Sequence, residues 1–140
     1  MLATGALMWL VAWSAQFAAF PLPGRIWLAA GCALAGLLLA APAILSFRRA
    51  RTTVHPMQPA KTTSLVVAGV YRFTRNPMYL GLLLVLAGWG LYLSNALAFA
   101  LLPAFVAYIN RFQIAPEERA LAAKFGPDYD AYKARVRRWL

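Results

Sequence analysis

Residues 69–81 read Gly-Val-Tyr-Arg-Phe-Thr-Arg-Asn-Pro-Met-Tyr-Leu-Gly, a polar and aromatic rim that opens directly onto a long uncharged run. No charged residue occurs between Arg75 and Arg111. The polar pair Ser94-Asn95 divides that run, so a helical hairpin is expected on either side of it. Each arm has about 15–17 residues, roughly 25 Å of helix at 1.5 Å per residue, slightly short of a hydrocarbon core of about 30 Å. A second polar island, Pro116-Glu117-Glu118, follows where the hairpin returns. The there-and-back path is expected to bring both polar patches to one membrane surface, as a site open toward lipid.

The composition sets the solvent. Of the 140 residues 62% are hydrophobic and only 13% charged, against about a quarter charged in soluble domains. The long uncharged stretches imply an integral membrane protein. A net charge of +10 in a soluble chain would point to nucleic acid, but here the basic residues flank apolar spans. Anionic lipid headgroups are therefore the expected partner, and nucleic acid is not. The lone Cys32 sits inside an apolar segment and reads as a small packing residue.

Outward from the rim, the chain is expected to form one all-α domain over residues 1–140. Its parts are two N-terminal spans in 1–47, a loop in 48–77, the hairpin in 78–112 and an amphipathic tail in 113–140. Residues 2–20 are uncharged and end at Pro21-Leu22-Pro23-Gly24. No basic start precedes them, so a retained span is expected rather than a signal peptide. Ser14 and Gln16 within it are expected to face other helices. Residues 26–47 form a second run long enough to cross a bilayer. Gly31 and Ala35, with Cys32 and Gly36, give small-xxx-small spacings suited to close helix contact. Pro42 is expected to kink or end this helix.

Arg48, Arg49 and Arg51 stop the span, and Thr52 to Ser64 reads as a proline-bearing loop. Its His55 is a turn residue rather than a catalyst, and no metal site is expected. Leu65 to Val70 is apolar but too brief to span. Pro103 should bend the second hairpin arm. In the tail, Pro116 suits a first helical position, and Gly126-Pro127 should end one helix and start another. Tyr129, Tyr132, Val136 and Trp139 are expected to share one face of a helix resting on the headgroups. Lys and Arg concentrate in the middle loop and the tail, whereas the other connections hold only Arg25. The positive-inside rule then gives about four spans with both termini cytoplasmic.

Two readings stay open for each polar group. Glu117 and Glu118 suit the first turn of a helix, where its dipole favours carboxylates, or they meet a cationic or hydroxylated ligand. Arg75-Asn76-Pro77 is a basic stop before a helix start, or a rim whose amide and backbone groups hold a ligand. Tyr71 and Tyr79 are belt aromatics, or they offer ring faces to a cation.

The sequence resembles the isoprenylcysteine carboxyl methyltransferase and phospholipid N-methyltransferase superfamily, in its short bacterial form, from about Thr52 to the C-terminus. The resemblance rests on Leu65-Val66, Gly69-Val70-Tyr71, Arg75-Asn76-Pro77-Met78-Tyr79, Glu117-Glu118-Arg119-Ala120-Leu121 and Phe125-Gly126-Pro127-Asp128-Tyr129, in that order around an apolar hairpin. It implies an integral protein of the bacterial inner membrane with S-adenosylmethionine as cofactor and a lipid or lipidated methyl acceptor. It also implies that Leu65, Val66, Tyr71, Asn76, Pro77, Met78 and Tyr79 border the cofactor, with Glu117 and Glu118 reaching it from the returning side. The carboxyl methyltransferases carry an arginine before the acidic pair that holds the substrate carboxylate. Arg111 is the nearest candidate for it, with Gln113 as the other. They usually have histidine where this chain has Asn76, whereas the phospholipid N-methyltransferases share Asn-Pro-Met-Tyr. The acceptor thus stays open between an isoprenylcysteine-like carboxylate and a phospholipid amine. An NADPH-dependent membrane reductase of similar layout and a non-enzymatic anionic-lipid-binding protein are the alternatives.

Overall fold

The computed structural model describes residues 1–49, backbone only from 47, and residues 65–140. The loop expected over Thr52 to Ser64, with His55, lies outside the described residues. All regular elements among the described residues are helical: α1 (Leu2–Ser14), α2 (Arg25–Arg49), α3 (Pro77–Leu93), α4 (Ala96–Phe99), α5 (Leu101–Ile109), α6 (Ala115–Phe125) and α7 (Pro127–Arg135). Two stretches, Arg25–Ser46 and Ala96–Phe125, are long and apolar enough to cross a membrane. The other two apolar helices, Leu2–Ser14 and Pro77–Leu93, are shorter, so two of the four expected spans meet that measure.

Contacts divide the chain into two compact units. The first comprises residues 1–38 and 81–107. Here α1 stops at Ser14, well before residue 20, because the residues after it engage the turn at 94–95. The Asn95 side-chain amide donates to the Ala15 carbonyl at 2.8 Å, and the Phe20 amide donates to the Ser94 carbonyl at 2.9 Å. Asn95 also caps α4, its Oδ1 accepting from the Leu97 and Ala98 amides. A buried amide so fully partnered fixes the turn, since an unmet polar group in an apolar unit is costly. Ser14 and Gln16 are exposed rather than facing other helices.

Small residues set the helix contacts as expected for one face of α2 only. A Cβ at Gly36 would stand 2.5 Å from the Gly81 carbonyl oxygen, and one at Gly88 would stand 2.8 Å from the Ala29 carbonyl oxygen and 3.1 Å from Cys32. Gly31, by contrast, faces open space. The outer surface is apolar, with Phe17 86% and Trp27 81% exposed, which suits contact with lipid.

The second unit comprises residues 39–80 and 108–140. Pro42 does not end α2, which continues to Arg49. The second hairpin arm differs more from expectation. A turn at Ala100 interrupts it, and Pro103 stands in the first turn of the helix that follows. The arm then does not stop at Ile109. It widens into a π-helical turn over Asn110–Ile114 and continues as α6. The wide turn falls where Pro116 cannot donate to the carbonyl four residues earlier, so the helix passes the proline with a local change of hydrogen-bond spacing. Gly126, at φ +48°, ends α6 in a conformation that side chains rarely adopt, and Pro127 opens α7. Helix α7 ends at Arg135, and Val136 is extended. The shared face running to Trp139 is therefore not formed. Tyr129 and Tyr132 are buried against the protein, at 2% and 5% exposure, instead of resting on headgroups.

Candidate functional site

The site lies within the second unit. A 3-10 turn over Gly69–Arg72 turns Tyr71 inward, at 6% exposure, and leaves Arg72 and Phe73 outside. Thr74, only 1% exposed, ends this rim. Pro77 then starts α3, and the Asn76 carbonyl accepts from the Leu80 amide, which closes the first helical turn. That start puts Tyr79 one turn into α3, where its hydroxyl donates to Glu117 Oε1 at 2.6 Å. A phenol–carboxylate bond of this length is charge-assisted and strong.

Adjacent residues on a helix point about 100° apart, so Glu117 and Glu118 take different partners. Glu118 is held by two arginines. Arg138 Nε donates to its Oε1 at 3.1 Å and Nη2 to its Oε2, a forked pairing, and Arg75 Nη1 lies 3.1 Å from Oε1. Around that centre the C-terminal segment is fastened to the rim. The Arg138 carbonyl accepts from the Asn76 side-chain amide at 2.9 Å and from Thr74 Oγ1 at 3.3 Å, while the Arg75 amide donates to the Arg137 carbonyl. Trp139 Nε1 donates to Asn110 Oδ1 in the π turn, and the Tyr132 hydroxyl donates to the Tyr71 carbonyl at 2.8 Å.

The electrostatics follow from this packing. Burial, with Tyr132 and Glu117 nearby, raises the Tyr71 phenol well above its ordinary range. Burial likewise pushes Tyr132 up to about 12, against the lowering effect of Arg75. The hydrogen bonds from Arg138 to Glu118 raise the Arg138 guanidinium further. Arg75 Nε and Nη1 are buried without an aligned hydrogen-bond acceptor among the described residues.

Of the residues singled out in the sequence, Tyr71, Tyr79 and Glu117 form one group. Glu118 and Asn76 serve the fastening of the C-terminal segment. Pro77 is buried at the start of α3, and Leu65, Val66 and Met78 are half-buried along the same segment. Arg111 is exposed, its guanidinium 6.0 Å from the centre of the Phe112 ring, and Gln113 is half-buried in the π turn. On the other flank of the 3-10 turn, Val70, Arg72 and Phe73 with Pro42, Leu45 and Ser46 border a hollow of about 810 Å³. Sequence reasoning missed Thr74, Tyr129, Tyr132 and Trp139 as supports. One signal was present. With four acidic residues in the chain, a carboxylate beside a buried rim calls for arginines, and Arg75 and Arg138 were available.

The arrangement offers a carboxylate and two phenol rings to a cation, while Arg75 and Arg138 are taken up by Glu118. The family profile described as phospholipid methyltransferase matches residues 24–128, more than half of the chain. An uncharacterized protein of Haemophilus influenzae is 54% identical over 63 residues, which cover 45% of this chain and all of that protein.

Proposed function

The chain belongs to the phospholipid methyltransferase family, and from that premise we propose that it transfers a methyl group from S-adenosylmethionine to a lipid or lipidated acceptor. The observation that carries this reading is the Tyr71, Tyr79 and Glu117 group, which suits a cationic ligand through carboxylate and ring faces. When bound, the cofactor supplies an electrophilic methyl group on a cationic sulfur. The chain's own residues bind, orient and exclude water. Tyr79 fixes the Glu117 carboxylate, and the fastened C-terminal segment fixes Arg75 beside Glu118. Alignment in a site shielded from water is the main source of acceleration for a displacement of this kind.

The hollow beside Val70 and Phe73 suits the apolar part of an acceptor, with Arg72 at its edge. Asn-Pro-Met-Tyr at 76–79 favours a phospholipid amine over an isoprenylcysteine-like carboxylate, and the exposed position of Arg111 agrees. Both termini and the site are assigned to the cytoplasmic face of a bacterial inner membrane, on the distribution of Lys and Arg.

The test is thermal unfolding of the detergent-purified protein with S-adenosylhomocysteine or NADPH. A ligand at about 100 times its dissociation constant stabilises by about 2.7 kcal/mol. Protection by S-adenosylhomocysteine that is lost in Glu117→Gln supports the reading. Protection by NADPH alone would make the chain a reductase and sink it.

A further inference from the structure

The first unit contains a groove of about 770 Å³ with walls from α1, α2 and α3, among them Gly5, Ala30, Ala33, Gly88, Trp89 and Tyr92. It shares no residue with the Tyr71, Tyr79 and Glu117 group. Its volume is in the range of ligand pockets, and carbon lines nearly all of it. Trp89 Nε1, a donor in the wall, is committed to the Gly5 carbonyl at 3.0 Å. Its walls therefore suit an apolar occupant.

At one end the chemistry changes. Arg25 opens α2 one turn ahead of Ala29, and its guanidinium lies 5.6 Å from the centre of the Tyr92 ring. Arg25 is the sole charged side chain among residues 1–38 and 81–107, and those residues include no acid to pair with it. A cation held over an aromatic wall, at the end of a carbon-lined groove, matches an amphiphile with one chain and one anionic end.

We propose that this groove is a specific binding site for an anionic phospholipid, one acyl chain lying between α1 and α2 and the phosphate resting on Arg25. The small residues make the room: Gly88 draws α2 close to α3, and Ala30 and Ala33 leave the adjoining wall low. Fluid lipid surrounds any apolar surface. A site differs from it in holding one molecule and in preferring one headgroup charge, and Arg25 supplies that preference.

Native mass spectrometry of the purified full chain, supplied with phosphatidylglycerol or phosphatidylcholine, tests this directly. The expected result is a single phosphatidylglycerol adduct that survives activation sufficient to strip phosphatidylcholine. Arg25→Gln should lower its retention about fivefold, the share of one cationic side chain at a lipid headgroup, and Arg25→Lys should restore most of it. Ala30→Phe, at an exposed wall position, should reduce retention of both lipids by filling the groove. Should Ala30→Phe fail to fold, the Arg25 pair decides alone, since that side chain is exposed. Equal retention of the two lipids, an Arg25→Gln protein that keeps its adduct, or a mass showing a second copy in place of lipid would each overturn the proposal.

Discussion

Tyr79 donates to Glu117 across 38 positions of sequence, at 2.6 Å, while the neighbouring Glu118 turns away to Arg75 and Arg138. Two adjacent carboxylates thus have separate work. Glu117 meets the group of phenols, and Glu118 holds the chain terminus to the rim.

Removing the Tyr79 hydroxyl should leave the fold intact and misplace the carboxylate. Tyr79→Phe is expected to lower methyl transfer about tenfold, the equivalent of roughly 1.4 kcal/mol for a bond to a charged group. Glu117→Gln should cost more, about a hundredfold, with weaker cofactor binding. Radiolabelled methyl incorporation, with circular dichroism as the control for folding, checks both.

Glu118→Gln leaves Arg75 buried beside a neutral amide. The expected loss is about 1–3 kcal/mol of stability, because stripping one partner from a partly buried pair exposes the other to a desolvation cost. Limited proteolysis should show the earliest cleavage after Arg135. A double-mutant cycle with Arg138→Gln should show strong coupling between the two positions.

Gly36→Ala would force a methyl group to within 2.5 Å of the Gly81 carbonyl oxygen, and Gly31→Ala would meet open space. The first substitution is expected to destabilise by about 1–3 kcal/mol. The second should be neutral or slightly stabilising, since alanine is the better helix former. Thermal unfolding in detergent distinguishes them.

Tyr132 has its phenol pushed from about 10 to about 12, chiefly by burial. The folded state keeps that proton in a pH range where the unfolded chain has lost it. Stability is therefore complete below pH about 10 and falls as pH rises from about 10 to about 12. Tyr129, also raised by burial, contributes with the same sign. Tyr132→Phe should show a lower starting stability, through loss of the bond to the Tyr71 carbonyl, and a shallower alkaline decline.

Much of the helical plan was legible. The uncharged run after Pro77, the turn at Ser94-Asn95, the second span from Arg25 and the break at Gly126-Pro127 follow from local chemistry, because a charge, a proline or a positive φ acts on its own neighbours. The early stop of α1 was not legible, since Asn95 causes it from 80 residues away. The same holds for the C-terminal segment, whose aromatic spacing reads as a lipid-facing helix until Thr74 and Asn76 claim the Arg138 carbonyl.

The sequence by itself determined which residue types were available: four carboxylates, a rim of tyrosines and arginines, and apolar runs that place the chain in lipid. Only the tertiary structure decided how Glu117 and Glu118 divide their roles. Adjacent side chains on one helix differ in direction, and which direction meets a phenol and which meets two guanidiniums depends on partners 20 to 43 residues distant.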